Sequence, residues 1–230
     1  MYNKRSFLAV IPARKGSKRL PGKNTRMLAG KAHIQRTIEA AQDSKYIDTI
    51  VVSSDDDFVL SLASKQSVET IRRPEVLAND TAGSADVLLH VVDNVTKSFD
   101  YVILLQPTSP LRTAEDIDNA IELLIEKKAS SVISVCEAEH SPLWANTLPA
   151  DRSLKGFIRD DIVGKRSQDL DRYYRLNGAI YIVERQAFIN EKEFLFDDSY
   201  AYEMNTSTSV DIDTEYDFVC AEALVTYHSN

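Results

Sequence analysis

Basic residues and glycines are concentrated near the start of the chain, in residues 11–24, which read IPARKGSKRLPGKN. The first 38 residues hold ten Lys or Arg and no Asp or Glu, although the whole chain has a formal net charge of −8. Cationic side chains beside a glycine-bearing turn suit an anion such as phosphate, because the turn also offers backbone N–H donors. We therefore predict an anion site whose charge comes from five residues: Arg14, Lys15, Lys18, Arg19 and Lys23.

Other basic or glycine-rich segments fit this stretch poorly. Gly16 and Gly22 have five residues between them and Lys23 precedes Asn24, whereas a Walker A loop has four and a hydroxyl residue after its Lys. A dinucleotide-binding turn needs a third, closely spaced glycine. The prolines would interrupt the amphipathic helix of a mitochondrial targeting segment. A solvated basic patch remains as an alternative, but it does not explain the interleaved glycines and prolines.

Two aspartates lie close together near the other end of the chain, in residues 209–215, which read SVDIDTE. If this segment is extended, Asp211 and Asp213 point to one side and Ile212 points into the core. Two carboxylates within about 7 Å of each other can share a hard cation such as Mg²⁺, or Mn²⁺ in its place. The alternative is that Asp213 or Thr214 only caps the next helix, since Thr214 and Asp217 fit a capping box. Both interpretations can hold together.

A third motif, residues 104–112, reads LLQPTSPLR and follows an apolar run. Gln106 then lies at the carboxyl end of a predicted strand, where its amide could contact a polar ligand. The two prolines stiffen the turn, so a purely structural loop is an equal alternative.

Short apolar runs rich in Val and Ile alternate with helical patterns along the chain. Runs of this kind are typical of strands buried on both faces, and they occur at residues 7–11, 49–53, 101–105, 131–135 and 179–183. Apolar residues recur at helical spacing in residues 85–95 and 117–124, and Thr113 with Asp116 forms a capping box before the second helix. The alternation predicts the α/β class with a doubly wound, mostly parallel sheet, whose ligands lie at the carboxyl ends of strands.

Length and composition predict one domain over residues 1–230, since 43% of the 230 residues are hydrophobic. Residues 138–176 break the alternation, contain the only Trp and have no clear period, which favours an inserted arm that contacts a partner. No apolar run approaches the roughly 20 residues of a membrane span, so we expect a cytoplasmic protein without membrane contact. Scattered Cys and His residues do not indicate a zinc site, and the acidic remainder of the chain argues against nucleic acid as a partner.

Five ordered motifs together resemble one protein family, the bacterial CMP-sialic acid synthetases or acylneuraminate cytidylyltransferases. The motifs are AVIPARKGSKRLPGKN, RRPEVLANDTAGS, LLQPTSPLR, RLNGAIYI and SVDIDTEYD, spread along nearly the whole chain. The resemblance implies a Rossmann-like nucleotidyltransferase sheet and a homodimer joined through the 138–176 arm. It also implies the reaction of CTP with a sialic acid to give a CMP-sugar and pyrophosphate.

The resemblance also implies roles for individual residues. Implied contacts to CTP come from Arg14, Lys18, Lys23, Asn24, Arg73, Ala82 and Ser84. Implied contacts to the sugar come from Gln106, Trp144, Arg166, Arg175, Tyr181 and Phe194. The implied metal pair is Asp211 and Asp213 with Mg²⁺, and the implied catalytic set is Arg14, Lys23, Asp211 and Asp213. Asp211 is expected to assist deprotonation of the attacking sugar hydroxyl.

Two departures from the family pattern concern the sugar. Trp144 stands where sialic-acid members have a Lys, and Leu195 stands where they have a second Phe. An aromatic in place of an ammonium suits a less hydroxylated sugar with more acyl surface, such as legionaminic acid. The sugar carboxylate would be met by Arg166, Arg172 or Arg175. A Kdo-activating relative, a non-catalytic nucleotide-sugar binder and an assembly protein are the remaining alternatives.

Overall fold

The computed structural model describes residues 1–228, which form strands and helices in alternation. The strands are β1 (Phe7–Pro12), β2 (Met27–Leu28), β3 (Lys31–Ala32), β4 (Thr49–Ser54), β5 (Glu69–Arg72), β6 (Tyr101–Leu104), β7 (Ser131–Glu137), β8 (Tyr174–Glu184) and β9 (Tyr200–Glu203). The helices are α1 (His33–Gln42), α2 (Asp57–Lys65), α3 (Ser84–Asn94), α4 (Ala114–Lys127), α5 (Arg185–Glu191) and α6 (Glu215–His228).

Seven of the strands form one sheet in the order β5-β4-β1-β6-β8-β7-β9. Neighbours among β5, β4, β1 and β6 run parallel, as do β7 and β9, whereas β8 is antiparallel to both β6 and β7. The predicted α/β class with a mostly parallel sheet is confirmed. β2 and β3 form a separate two-stranded ribbon.

The sheet is covered on both faces, which explains its uninterrupted apolar strands. Along β1, Phe7, Ala9 and Ile11 belong to one core, and Leu8 and Val10 belong to the other. The first core receives α1 and α4, and the second receives α3. Because successive side chains of a strand point to opposite faces, a strand between two helical layers must be apolar at every position.

The predicted helices form where expected, and their caps have the predicted geometry. The amide of Asp116 donates to Thr113 Oγ1 at 3.1 Å, and the Asp116 carboxylate accepts from the Thr113 amide at 2.8 Å. The Thr214 and Asp217 pair before α6 makes the same reciprocal contacts. α4 and α6 therefore begin at capping boxes, as predicted.

The sequence patterns missed β5 and β9 and predicted too short a range for β8. β5 and β9 are the edge strands of the sheet, and their side chains are half-buried or exposed, so no apolar run marks them. β8 was expected over residues 179–183 but begins at Tyr174, because its first residues pair with β7 across a register shift. A bulged strand changes the alternation of its side chains, which hides its start in the sequence.

The predicted arm leaves the sheet between β7 and β8. Residues 138–173 are irregular apart from the short 3-10 turns Pro142–Trp144 and Ser167–Asp169, and residues 174–176 of the predicted arm already belong to β8.

Within residues 1–228, no helix combines the length and the hydropathy that crossing a bilayer requires.

Candidate active site

The candidate site lies where the strand order of the sheet reverses. β1 lies between β4 and β6 in the sheet. Because β1 and β6 are parallel, the loops that follow them lie at the same end of the strands, and these are the Arg14 loop and the Gln106 loop. Such a reversal point leaves a crevice between neighbouring loops, where α/β proteins bind ligands. A cavity of about 190 Å³ occupies this crevice, and it is lined by Pro12, Arg14, Lys23, Asn24, Arg73, Leu77, Asn79, Asp80, Ala82, Ser84, Val87, Gln106, Pro107 and Thr108.

A second cavity of about 390 Å³ adjoins the first. The two cavities share Arg14, Lys23, Asn24 and Asp80, and the second also receives Gly16, Ser17, Lys18, Arg19 and Asp213. Every residue predicted to contact CTP therefore lines one cavity or the other.

The Arg14 loop, residues 13–24 and called the phosphate loop below, is fixed to the sheet by its backbone. The amide of Ala13 donates to the Ser53 carbonyl at 2.9 Å, and the amide of Lys15 donates to the Asp55 carboxylate at 2.8 Å. Within the loop, the Asn24 side chain donates to the Arg14 carbonyl at 3.0 Å. These bonds tie the loop to the end of β4, so the backbone beside its cations is held in place.

Gly22 accounts for the sharp turn of this loop. Its φ of 67° lies in the left-handed region, which residues with a Cβ adopt at a cost. The turn brings Lys23 into a short 3-10 helix, Lys23–Thr25, with only 12% of its side chain exposed. Gly16 is not in the left-handed region, so Gly22 is the glycine on which this turn depends.

Lys23 joins the phosphate loop to the aspartate segment. Its Nζ donates to the Ile212 carbonyl at 2.7 Å and to Asp213 Oδ1 at 3.2 Å. Ile212 is fully buried, and its amide donates to the Thr108 carbonyl of the Gln106 loop at 2.8 Å. Ile212 points into the core as predicted, and the three sequence motifs meet in one place.

The two aspartates differ in their electrostatic surroundings. Desolvation by the surrounding protein raises the pKa of Asp211, although part of the residue is exposed to solvent, and the nearby charge of Asp213 raises it further. Asp213 is paired with cations instead, since Arg19 lies 3.0 Å from its Oδ2 and Lys23 lies 3.2 Å from its Oδ1. Asp211 is thus the carboxylate with the weaker compensation of its charge.

The donor chemistry of this pair fits a hard divalent cation. Carboxylate oxygens are the ligands that Mg²⁺ prefers, and the positive charge of a bound ion would offset the repulsion that raises the pKa of Asp211. Within residues 1–228, no cluster of three or more His, Cys, Asp or Glu side chains could hold a metal by itself. A cation at Asp211 and Asp213 would therefore need further ligands from a substrate or water, which is usual for Mg²⁺.

Arg73 forms the wall of the first cavity beside β5. Its residue is 5% exposed, and its guanidinium donates to the Ser53 carbonyl at 2.8 Å. Burial lowers the pKa of Arg73 to about 10, which still leaves it charged at neutral pH. A buried guanidinium fixed by a backbone carbonyl is a rigid donor for a polar ligand.

The segment carrying Ala82 and Ser84 closes the other side of this cavity. The Asn79 side-chain oxygen accepts from the amides of Thr81 and Ala82, both at 2.9 Å, and fixes the turn before α3. Ser84 is the first residue of α3.

The residues predicted to bind the sugar are only partly brought together. Gln106 lines the first cavity, and the rings of Tyr181 and Phe194 meet edge to face with centroids 5.4 Å apart. Arg175 pairs with Glu139 at 2.6 Å, and its Nη2 donates to the Ser209 carbonyl at 3.4 Å, close to the aspartate segment.

The remaining predicted sugar contacts lie in the arm. Arg166 is exposed and its ion-pair partner is Asp169, three residues further along the arm. Trp144 is half-buried, and within residues 1–228 it neither joins an aromatic ring pair nor lines either cavity. Leu195 is 61% exposed beside Phe194. The single chain therefore does not bring Trp144 and Arg166 to the site.

One site residue was missed from the sequence. Asp80 lines both cavities and pairs with Arg14 and Lys18, although nothing in its local pattern distinguishes it from other surface acids.

A larger cavity of about 710 Å³ lies at the opposite end of the strands, where β1 and β6 begin, and none of the predicted site residues line it.

Comparison with known proteins gives related results for sequence and fold. The family model described as Cytidylyltransferase matches residues 8–217. A CMP-N,N'-diacetyllegionaminic acid synthase from Legionella pneumophila is 39% identical, over 95% of this chain and 96% of that protein. An N-acylneuraminate cytidylyltransferase from Streptococcus agalactiae serotype III is 37% identical over 92% of this chain, which matches 51% of that longer protein.

A solved structure shares the fold at lower sequence identity. The CMP:2-keto-3-deoxy-manno-octonic acid synthetase complexed with CTP has a TM-score of 0.74 and 21% identity, with 97% of this chain and 99% of that chain covered.

Proposed function

Because the chain belongs to the cytidylyltransferase family, we propose that it activates a nonulosonic acid by transferring the cytidylyl group of CTP to it, with release of pyrophosphate. The observation that carries the proposal is the pair of joined cavities at the reversal point of the sheet. There, the cations of the phosphate loop, buried Arg73 and Asp213 line the two cavities, and Asp211 lies two residues before Asp213 in the same segment. This arrangement supports a nucleoside triphosphate as the ligand.

The two cavities suit different parts of CTP. Arg73, Ala82 and Ser84 line the smaller one, where we place the cytosine and ribose together with Asn24. Lys18 lines the larger one, and Arg14 and Lys23 lie between the two, where we place the triphosphate. Cations held along the phosphates stabilise the charge that develops on the leaving pyrophosphate.

Asp211 and Asp213 are the residues that would hold the divalent cation, which we propose to be Mg²⁺. When it is bound, this ion supplies positive charge beside the phosphates. Lys23 already contacts Asp213 and the backbone of Ile212, so it keeps the carboxylate pair next to the phosphate loop.

The attacking group is the anomeric hydroxyl of the sugar acid, which displaces pyrophosphate in line at the α-phosphorus. Its proton must be lost as the new O–P bond forms, and we assign Asp211 to accept it. Within residues 1–228, ion pairs engage Asp213 and not Asp211, so Asp211 is the carboxylate of the pair that is left to accept the proton. Gln106 and Tyr181 would orient the sugar from the opposite wall.

The acceptor is the finer part of the proposal, with N-acylneuraminic and legionaminic acids as the two candidates. Trp144 and exposed Leu195 offer apolar surface where a charged or second aromatic group is expected for sialic acid. Apolar surface favours the additional acyl group and missing hydroxyl of legionaminic acid. We therefore favour legionaminic acid.

The arm is proposed to form a homodimer and to reach the partner's site. Large apolar side chains along the arm and the start of β8 are exposed in the single chain, namely Leu148, Leu154, Val163, Tyr174 and Leu176. Repeated exposed apolar residues on an inserted segment favour a protein partner, and a second copy would also carry Trp144 and Arg166 to a sugar site.

The proposal is tested by measuring pyrophosphate release from CTP and Mg²⁺ with four acceptors: N-acetylneuraminic, legionaminic, pseudaminic and Kdo acids. We expect turnover with a nonulosonic acid and the highest kcat/KM with legionaminic acid. CTP binding without turnover on any acceptor would contradict the proposed reaction. Preference for N-acetylneuraminic acid would reject legionaminic acid as the acceptor but would leave the proposed reaction standing.

A further inference from the structure

Asp80 forms ion pairs with the two cations that the triphosphate would need. Its Oδ1 lies 2.7 Å from Nη1 of Arg14, and its Oδ2 lies 2.6 Å from Nζ of Lys18. Each carboxylate oxygen therefore contacts a different cation. These hydrogen bonds to Lys18 and Arg14 hold the pKa of Asp80 below its ordinary value, so the carboxylate is ionised at neutral pH.

A carboxylate and a phosphate compete for the same donors. A carboxylate is a planar oxyanion and a phosphate is a tetrahedral one, but both accept hydrogen bonds from guanidinium and ammonium groups at similar distances. Arg14 and Lys18 have further N–H donors, but a phosphate that bound them beside Asp80 would be repelled by the negative charge of the Asp80 carboxylate. Asp80 retains 39% exposure of its side chain, so it has solvent into which it can move when displaced.

The position of Asp80 in the chain links the two parts of the nucleotide site. It follows Asn79, whose side chain fixes the turn that carries Ala82, and it precedes Ser84 by four residues. The Asp80 carboxylate thus connects the wall of the smaller cavity to the loop cations, across 66 residues of sequence.

We propose that Asp80 is an internal competitor for the phosphate cations, which weakens the binding of CTP and pyrophosphate. A ligand with a triphosphate carries enough charge to take Arg14 and Lys18 from Asp80, whereas CMP does not reach both cations. After the reaction, Asp80 recovers them and speeds the release of pyrophosphate. This inference rests on the proposed function, because it assigns Arg14 and Lys18 to the triphosphate.

The test measures binding by calorimetry with three probes: CTP, CMP and pyrophosphate, each in the presence of Mg²⁺. Asp80→Asn keeps the size of the side chain and removes its charge. We expect it to bind CTP and pyrophosphate about threefold to tenfold more tightly, the size expected for two partly exposed ion pairs. Its affinity for CMP should change by less than about twofold. Asp80→Ser, which shortens the side chain, should show the same pattern.

Two controls separate competition from a general charge effect. Glu126→Gln removes one negative charge from an exposed ion pair with Lys127, outside both cavities, and should leave all three affinities unchanged. Lys18→Gln removes one of the two cations. In that background, Asp80→Asn should improve the binding free energy of CTP by about half as much as it does in the wild type, since only Arg14 remains to be released.

The outcomes distinguish this inference from the proposed function. Wild-type protein that binds CTP, with Asp80→Asn and Asp80→Ser no tighter for CTP or pyrophosphate, would overturn the competitor role and leave the proposed function intact. An equal gain for CMP, or a gain that is undiminished with Lys18→Gln, would overturn it as well. Wild-type protein that binds neither CTP nor pyrophosphate would remove the basis of both.

Discussion

At the scale of single residues, Asp211 and Asp213 share a segment but have different tasks. Asp213 has two cationic neighbours, Lys23 and Arg19, whereas desolvation and the charge of Asp213 raise the pKa of Asp211. A carboxylate whose charge is poorly compensated is suited to accept a proton, and one surrounded by cations is suited to hold position.

This difference predicts different kinetic defects for two isosteric substitutions. Asp211→Asn should lower kcat by about 100-fold or more at saturating Mg²⁺, because the amide cannot accept the proton. Asp213→Asn should raise the Mg²⁺ concentration needed for half-maximal rate, with a smaller loss of kcat once the ion is saturating. Initial rates across a Mg²⁺ series would measure both. Near-full activity of Asp211→Asn at saturating Mg²⁺ would exclude Asp211 as the proton acceptor.

His33 is a buried residue whose titration affects the stability of the site. Burial lowers its pKa to about 4 from 6.5, and its Nδ1 lies 3.2 Å from the Lys23 carbonyl. Between pH 6.5 and about 4, the unfolded chain binds a proton at this residue that the folded chain does not. The free energy of unfolding must therefore fall as the pH falls through this interval.

The expected loss from His33 is roughly 3 kcal/mol between pH 7 and pH 4. Urea unfolding at several pH values would measure it, with wild type compared with His33→Asn. The variant should be less stable at pH 7 but should lose less stability on acidification. His140→Asn, at an exposed position, is the matched control and should follow wild type. Equal pH slopes for His33→Asn and wild type would contradict the assignment.

At the scale of elements, Arg112 connects the Gln106 loop to β8. The residue is 3% exposed, and its Nη1 donates to the carbonyls of Ala179 at 3.0 Å and Gln106 at 3.3 Å. Its Nε and Nη2 have no hydrogen-bond partner among the described residues, and burial lowers its pKa to about 10. A buried guanidinium with unmet donors is costly, so its presence between the loop and β8 favours a role in positioning the loop.

Arg112→Met tests this role by keeping a long apolar side chain. Losing two hydrogen bonds destabilises the fold, while removing an unpaired buried cation stabilises it, so we expect a net change under about 2 kcal/mol. The KM for the sugar acid should rise about tenfold, because Gln106 is released, and the KM for CTP should rise less, because the cavity assigned to its cytosine keeps Arg73, Ala82 and Ser84. Equal increases in both KM values would indicate a general structural defect instead.

Patterns along the sequence predicted those elements whose signals are local. β1, β4 and β6 are apolar at consecutive positions because both of their faces are covered, and the capping boxes mark the starts of α4 and α6. β5 and β9 were missed because edge strands keep solvent on part of their surface, and so lack that signal.

The candidate site was predictable where a motif supplies several of its residues. The phosphate loop, the Gln106 loop and the aspartate segment are each contiguous, so their chemistry is visible in the sequence. Asp80 and Arg112 also lie within motifs, but their roles depend on contacts with residues far away in the chain, such as Asp80 with Arg14 and Arg112 with Ala179. Only folding shows which cation faces which carboxylate, so no spacing rule could have indicated either residue.

At the scale of the whole molecule, the arm is the part of the chain that its own fold explains least. Residues 138–173 add little to the two main cores, since Ile162 is the arm's one buried apolar residue, while Leu148, Leu154 and Val163 are exposed. Arg166 and Trp144, which are expected at the sugar, also lie in this segment. A second copy would explain both observations, because its arm could cover the apolar surface and complete the neighbouring site.

This arrangement predicts that two inactive variants restore activity when mixed. Asp211→Asn disables a site from within its own subunit, whereas Arg166→Ala would disable the partner's site through the arm. In a mixed dimer, one of the two sites receives both defects and the other receives neither. Random exchange of subunits in an equal mixture should therefore restore about a quarter of wild-type pyrophosphate release. Exchange without recovery, verified by pull-down of differently tagged subunits, would show that each arm serves its own subunit, and active monomers on sizing would reject the dimer itself.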